Sequence, residues 1–309
     1  MPGFFDKSRK KPSGQRQYRL FSCKACRLRK QHIFFITFFF ALLLAGYGYF
    51  VEPGNLKVEQ VVIPDGYLHQ AWGDARIVQL SDLHIDKIGQ RDKRVLQLME
   101  DIKPDLIVIT GDMAQWNKDP QVALQFLQRL KAPLGVYGIL GDSDISSGRR
   151  YCIFCHSGGN VHQLRQHPRL LKNSSVEITV PATGKKVIIA GVFPTDADAG
   201  AGLSALTDLL GQTAEPVLLL DHFSEGWQQI RHKGPLLLLA GDTHGGQIGL
   251  PDFIWRMFHL VDYPQYMSGL FSGGGHKWLY VSRGIGTVSY FPFRIGVPPE
   301  ITVISFEDK

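Results

Sequence analysis

The strongest constraint on this chain is a recurring unit in which a short apolar run stops just before an aspartate and a helical segment follows. Ala75–Leu80 leads to Asp82, Asp105–Thr110 to Asp112, and Gly135–Leu140 to Asp142. Between them, Arg91–Ile102 carries Val95, Leu96, Leu98 and Met99 on or near one helical face, and Gln121–Leu130 is again helical. This βαβαβ rhythm predicts a mostly parallel sheet, which gathers ligands at the carboxyl ends of its strands. The second half adds predicted strands at 176–180, 186–190, 216–220 and 235–240, a helix near 203–210, and late strands at 278–282 and 300–306.

Charge is distributed unevenly. Ten of the 34 basic residues lie before residue 32, opposed there only by Asp6. The remainder holds 24 basic and 27 acidic residues, a net charge of −3, so a nucleic-acid footprint is not expected on the folded part. An uncharged run, Ile33–Val51, follows the basic tail and is long enough to cross a bilayer as a helix. It is long for a cleaved signal peptide, and no clear small-x-small cleavage site follows. The expected organisation is a basic cytoplasmic tail (1–32), a transmembrane helix (33–51), a linker (52–74) and one domain (75–309). The positive tail predicts a cytoplasmic amino terminus. The domain then lies outside if the helix spans, or on the cytoplasmic face if the anchor is monotopic.

The four cysteines form two CxxC pairs, Cys23/Cys26 and Cys152/Cys155, which a spanning helix would separate. A shared zinc site is therefore not expected. The first pair reads as free thiols or acylation sites, and the second as a disulfide or two thiols.

Four segments place metal-ligand side chains at predicted strand ends: Ser81-Asp82-Leu83-His84, Gly111-Asp112, Asp221-His222 and Gly241-Asp242-Thr243-His244. Carboxylates and imidazoles in one α/β domain suit two divalent cations, which can clamp a phosphate and make hydroxide near neutral pH.

Taken in order, Asp82-x-His84, Gly111-Asp112, Gly141-Asp142-Ser143-Asp144, His222 and Gly241-Asp242-Thr243-His244 resemble the calcineurin-like metallophosphoesterases, whose pattern is DxH, GDxxD, GNH(D/E), H, GHxH. Thr243–Gln247, Tyr280–Gly286 and Pro298–Ile301 look like the membrane-associated or exported branch of that family. The resemblance implies an α/β fold, a four-layer α/β/β/α sandwich preceded here by one transmembrane helix. It implies that Asp82, His84 and His244 hold a first metal, that Asp142, His222 and Asp242 hold a second, and that Asp112 bridges them. Attack would come from a hydroxide held between the metals, with no covalent protein intermediate. Manganese is the expected metal, with Mg, Fe or Zn as alternatives.

The chain departs from the family pattern in four places. Asp142 replaces the asparagine of GNH, Ser143 its histidine, Asp242 the first histidine of GHxH, and Gln115 the last aspartate of GDxxD. Formal ligand charge rises from −2 to −4 and cancels the +4 of two dications. Such a pair acidifies water less and prefers Mn²⁺ or Mg²⁺ to Zn²⁺. Arg149, Arg150, His156 and His276 are candidates to replace the missing histidine as phosphate contacts.

Phe253–Tyr263 is apolar and aromatic. It reads as a packed flap, or as a wall that receives an acyl chain or dips into a membrane. The expected partners are a membrane and a phosphorylated or pyrophosphate-linked lipid, with no nucleic acid. One relative of this organisation hydrolyses UDP-2,3-diacylglucosamine, a cytoplasmic substrate that a spanning topology would exclude. The expected function is dinuclear-metal-dependent phosphohydrolysis. The alternative is a weak or inactive membrane-tethered pseudophosphoesterase acting as a binding module.

Overall fold

A computed structural model describes residues 24–116, 118–145, 168–192, 210–258, 264–288 and 290–308. The chain divides into two compact units, Met1–Leu43 and Leu44–Lys309. Cys23, Cys152, Cys155, Arg149, Arg150, His156 and most of the expected 203–210 helix lie outside the described residues.

In the first unit the described residues belong to α1 (Lys24–Phe50), which begins inside the stretch expected to be tail. The large apolar side chains of its middle, Ile33 to Leu44, are all more than half exposed. The 24-residue span Gln31–Gly54 is long and apolar enough to cross a membrane.

The second unit is built on two six-stranded sheets. The first runs β1 (Lys57–Pro64), β12 (Glu300–Glu307), β2 (Ile77–Leu80), β3 (Leu106–Thr110), β4 (Val136–Ile139) and β5 (Arg169–Leu170), parallel throughout except between β12 and β2. The second runs β10 (Gly269–Gly274), β11 (Lys277–Val281), β9 (Leu236–Ala240), β8 (Val217–Leu220), β7 (Lys186–Gly191) and β6 (Ser174–Thr179), with the middle four parallel.

Residues 52–74, expected to be a linker, instead hold a short 3₁₀ turn, an edge strand and a helix of the second unit. β1 pairs with β12 from Lys57↔Glu300 to Pro64↔Glu307. Pro64 is the last residue of an edge strand, a position where a missing N–H is tolerated. Asp65 then caps α2 (Gly66–Trp72), its carboxylate accepting the N–H groups of Tyr67 and Leu68. Pro64 and Gly66 thus mark a strand end and a helix start.

Strand alternation sorts the core into layers. Leu106 and Val108 point between the sheets and meet Leu218, Leu220, Leu237 and Leu239. Ile107 and Ile109 point outward, onto Val95 and Leu98 of α3 (Gln90–Ile102) and Phe126 and Leu127 of α4 (Pro120–Leu127). The outer face of the second sheet buries Leu219, Leu238 and Val281 with Trp227 and Ile230. Each such side chain contributes about 1.5–3 kcal/mol by leaving water. The two sheets therefore form a stable platform for the loops at their carboxyl edge.

Candidate metal centre

Five parallel strands deliver their loops to one edge. Asp82 and His84 follow β2, Asp112 follows β3, Asp142 opens α5 (Asp142–Ile145) after β4, His222 follows β8, and Asp242 and His244 follow β9. Beneath them lies a polar seam. Gln79 occupies the inward face of β2, two residues after core Ile77, and its Nε2 donates to Thr110 Oγ1 and to the Ala240 carbonyl, both at 2.9 Å. Thr110 Oγ1 in turn donates to Ser81 Oγ at 2.7 Å. These bonds tie the ends of β2, β3 and β9 across the two sheets.

The loops turn abruptly. Asp82, His84, Asp112, Asp242 and His244 all have left-handed backbone conformations, with φ of 50°, 44°, 50°, 67° and 51°. Such positions cost roughly 1–3 kcal/mol each and persist where the surroundings hold them. Here the His84 N–H donates to the Asp112 carbonyl, the Asp242 N–H to Asp82 Oδ1, and the Ser143 N–H to Asp112 Oδ1. Gly241 and Gly141 permit this crowding. A Cβ at Gly241 would collide with Ser81 Oγ and the Asp82 carboxylate, and one at Gly141 with Asp112 Oδ1.

All seven residues expected to bind metal converge, in two lobes. In the first, His84 Nε2 lies 3.1 Å from His244 Nε2, which is 3.5 Å from Asp82 Oδ1. In the second, His222 Nε2 lies 3.4 Å from Asp142 Oδ1 and 3.8 Å from Asp242 Oδ1. Asp112 stands between them, with Oδ2 3.3 Å from His84 Nε2 and Oδ1 3.5 Å from His222 Nε2. Three triads could each hold a metal ion: Asp82/His84/His244, Asp82/Asp112/His222 and Asp142/His222/Asp242.

The electrostatics fit cation binding. Burial pushes His84 down to about 3, and His222 and Arg91 add to the shift. Burial, with His84 and Arg294 nearby, holds His244 well below the usual imidazole range. Both rings are therefore neutral and keep a lone pair. Burial raises Asp82 and, assisted by Asp142 and Asp144, raises Asp112 further. Burial disfavours charge on His222, yet Asp112, Asp142, Asp82 and Asp242 together pull it far up. The four aspartates thus draw positive charge into the cluster. His222 Nδ1 donates to the Thr110 carbonyl at 2.8 Å, which turns Nε2 toward the carboxylates. Among the described residues, Asp82 Oδ2 and His222 Nε2 are buried without a hydrogen-bond partner, a costly state that a coordinated cation would relieve. Oxygen and imidazole donors of this kind suit Mn²⁺, Fe²⁺, Zn²⁺ or Mg²⁺.

Other expected positions fall elsewhere. His276 sits at the amino end of β11, beside Leu236, because β11 pairs in parallel with β9. Its Nδ1 lies 3.0 Å from Asp65 Oδ2 and its ring packs on Tyr67, at the sheet edge opposite the cluster. It is not a phosphate contact. Asp221 is buried and its Oδ1 accepts the Phe223 N–H, so it shapes the turn that presents His222.

Sequence reasoning missed two residues. Asp144 is fully buried and accepts the N–H groups of Met113, Ala114 and Gly141, locking the Asp112 loop to the Asp142 loop. Its signal was the acidic fourth position of Gly-Asp-Ser-Asp. Arg294 is also fully buried and donates to the carbonyls of Arg283, Gly284, Gly286 and Val297 beneath His244. Its signal was one charge within the otherwise apolar Phe291–Val297 stretch. Above the cluster is a cavity of about 320 Å³, walled by Trp116, Ser143, Val288 and Tyr290 in addition to five of the cluster residues.

A profile of the calcineurin-like phosphoesterases matches residues 75–195. Phosphodiesterase YaeI of Escherichia coli (strain K12) is 33% identical over 269 residues, covering 84% of this chain and 91% of that protein. The chain belongs to the calcineurin-like phosphoesterase family. This phosphoesterase is also 30% identical over 275 residues to the metallophosphoesterase YkuE of Bacillus subtilis (strain 168), covering 85% of this chain and 90% of that one. It is 25% identical over 300 residues to UDP-2,3-diacylglucosamine pyrophosphatase LpxG of Chlamydia trachomatis serovar D, covering 82% and 90%. The family consists of hydrolases that use a dinuclear divalent metal site, and the two-sheet architecture is the family fold.

Proposed function

We propose that this phosphoesterase cleaves a pyrophosphate or phosphoester carried by a membrane lipid, using two divalent metal ions. One observation carries the reading: the two oxygens of Asp112 address different imidazoles, His84 and His222. A single carboxylate so placed serves two cation sites. Asp82, His84 and His244 would complete the first, and Asp142, His222 and Asp242 the second. When bound, the ions supply Lewis acidity and an activated water.

The chain's own residues set the rest. Four carboxylates balance the charge of two dications, which favours Mn²⁺ or Mg²⁺ over Zn²⁺. Ser143 stands on the cavity wall where the family pattern has histidine, so that position offers no imidazole to protonate a leaving group. A phosphate leaving group, with a second pKa of about 6, has little need of such a proton, whereas an alkoxide does. This supports a pyrophosphate over a simple alkyl phosphoester. The apolar α1 and the likeness to LpxG support a lipid carrier, with a UDP-linked diacyl sugar as one candidate.

The full-length chain in detergent should hydrolyse bis(p-nitrophenyl) phosphate with Mn²⁺ and lose that activity in Asp112→Ala. Absence of turnover with Mn²⁺, Mg²⁺ or Zn²⁺, on both this diester and a lipid pyrophosphate, would overturn the hydrolase reading. It would favour the second reading, a membrane-tethered binding module, which the replacements at Ser143 and Asp242 motivate. We place residues 1–32 in the cytoplasm and 33–51 in the bilayer. Protease added to intact cells will digest the domain if the helix spans and spare it if the anchor is monotopic.

A further inference from the structure

The last turn of α1, the loop 286–297 and the metal loop are joined in a single run of contacts. Arg294 N–H donates to the Gly48 carbonyl at 3.0 Å, Ile295 packs on Gly48 where no Cβ would fit, and the Phe293 ring lies 5.2 Å from Tyr49. Ile295 also bridges to Ile248, and Gly249 donates to the Ile295 carbonyl. Four residues after Ile248 begins the helix α6 (Asp252–Met257). Trp255 of α6 rests on Gly246, two residues from His244, so α6 stands beside the metal loop.

None of the residues of α6 is buried. Phe253 and Met257 lie one turn apart on one side, 62% and 58% exposed, and Phe258 is 60% exposed. Tyr290, on the cavity mouth, is 88% exposed, and Phe50, at the end of α1, is 80% exposed. Large apolar side chains grouped in this way mark a contact surface rather than ordinary solvent-facing surface. They lead on from the end of a helix long and apolar enough to cross a membrane, which argues for lipid as the occupant.

We propose that Phe50, Leu250, Phe253, Met257, Phe258 and Tyr290 form one bilayer-facing rim that seats the mouth of the metal cavity on the membrane surface. The phosphate is then reached while its carrier stays in the lipid. This rests on the membrane-anchored hydrolase reading above and names the surface through which that site meets its substrate.

The test is a depth measurement, independent of turnover. In the full-length chain with Cys23, Cys26, Cys152 and Cys155 changed to Ser, an environment-sensitive fluorophore is attached at Phe253→Cys, Phe258→Cys or Ala182→Cys. Ala182 lies in the exposed turn after β6, at the opposite edge of the second sheet. The protein is reconstituted in vesicles of phosphatidylcholine and phosphatidylglycerol. Labels at 253 and 258 should be quenched by nitroxide lipids and shielded from aqueous iodide, and the label at 182 should show the reverse. Iodide quenching at 253 and 258 equal to that at 182, with no response to nitroxide, overturns the rim. If the serine background fails to fold, Trp255 is a native reporter: brominated phosphatidylcholine should quench the unmodified chain more than Trp255→Phe, and equal quenching overturns the proposal. If no phosphoester is turned over, the hydrolase reading fails while the quenching result still decides the rim.

Discussion

Nη2 of the buried Arg294 lies 3.3 Å from Nδ1 of His244, which sets a guanidinium directly behind one of the paired imidazoles. Burial lowers the Arg294 pKa to about 10, against the pull of Asp82, and the group stays charged at neutral pH. That charge helps keep His244 neutral. The same guanidinium holds four backbone carbonyls, so one side chain both shapes the loop and tunes the ring.

Arg294→Met removes the charge and takes the guanidinium donors away from those carbonyls, of which Gly284 still accepts the Glu300 N–H. The expected loss is about 3–5 kcal/mol of stability, read by urea denaturation. Arg294→Lys keeps the charge without the planar fork. It should recover part of the stability while Mn²⁺ affinity, measured by titration calorimetry, stays at least about tenfold weaker.

Asp112→Asn keeps the shape of the side chain and removes its charge. Activity should fall more than about 100-fold, because both cation sites lose a shared carboxylate. Bound Mn²⁺, measured by elemental analysis, should fall below two ions per chain. A variant that kept two tightly bound ions would contradict the bridging role.

Ser143 holds Asp112 through its backbone N–H, which survives any substitution there except proline. Ser143→His should therefore leave the cluster intact and add a proton donor. Turnover of a diester with an alkyl leaving group should rise by about 10–100-fold, with little change for a p-nitrophenyl ester, which leaves without a proton. A parallel series of leaving groups compared between the two proteins checks this.

Asp144→Ala strands the N–H groups of Met113, Ala114 and Gly141. The expected destabilisation is about 2–4 kcal/mol, with metal affinity falling because the Asp112 and Asp142 loops separate. Asp144→Asn retains one carbonyl oxygen and should lose less in both measurements.

Much of the site was legible in the sequence because parallel strands act over short range. An apolar run such as Asp105–Thr110 is a buried strand, and its last residue fixes where Asp112 must emerge. The edge strand β1 was not legible. Its pairing partner, β12, lies more than 200 residues away, and the flanking Pro64 and Gly66 read locally as linker. His276 was misplaced for a related reason. Glycines precede it as they precede Asp112 and Asp142, but the direction of β11 in the sheet carries it to the other edge. Arg294 looked like any surface charge until the fold closed over it.

The sequence by itself determined the alternation of strands and helices in the central units and the apolar character of α1, since these follow from local pattern, and its ordered motifs pointed to the seven cluster residues through their resemblance to the family. Tertiary structure alone decided that Asp112 faces both lobes, that Asp144 and Arg294 hold the loops, and that α6 lies beside the metal loop. Those relationships depend on the distance and orientation of backbones far apart in the chain, and no short-range preference encodes them.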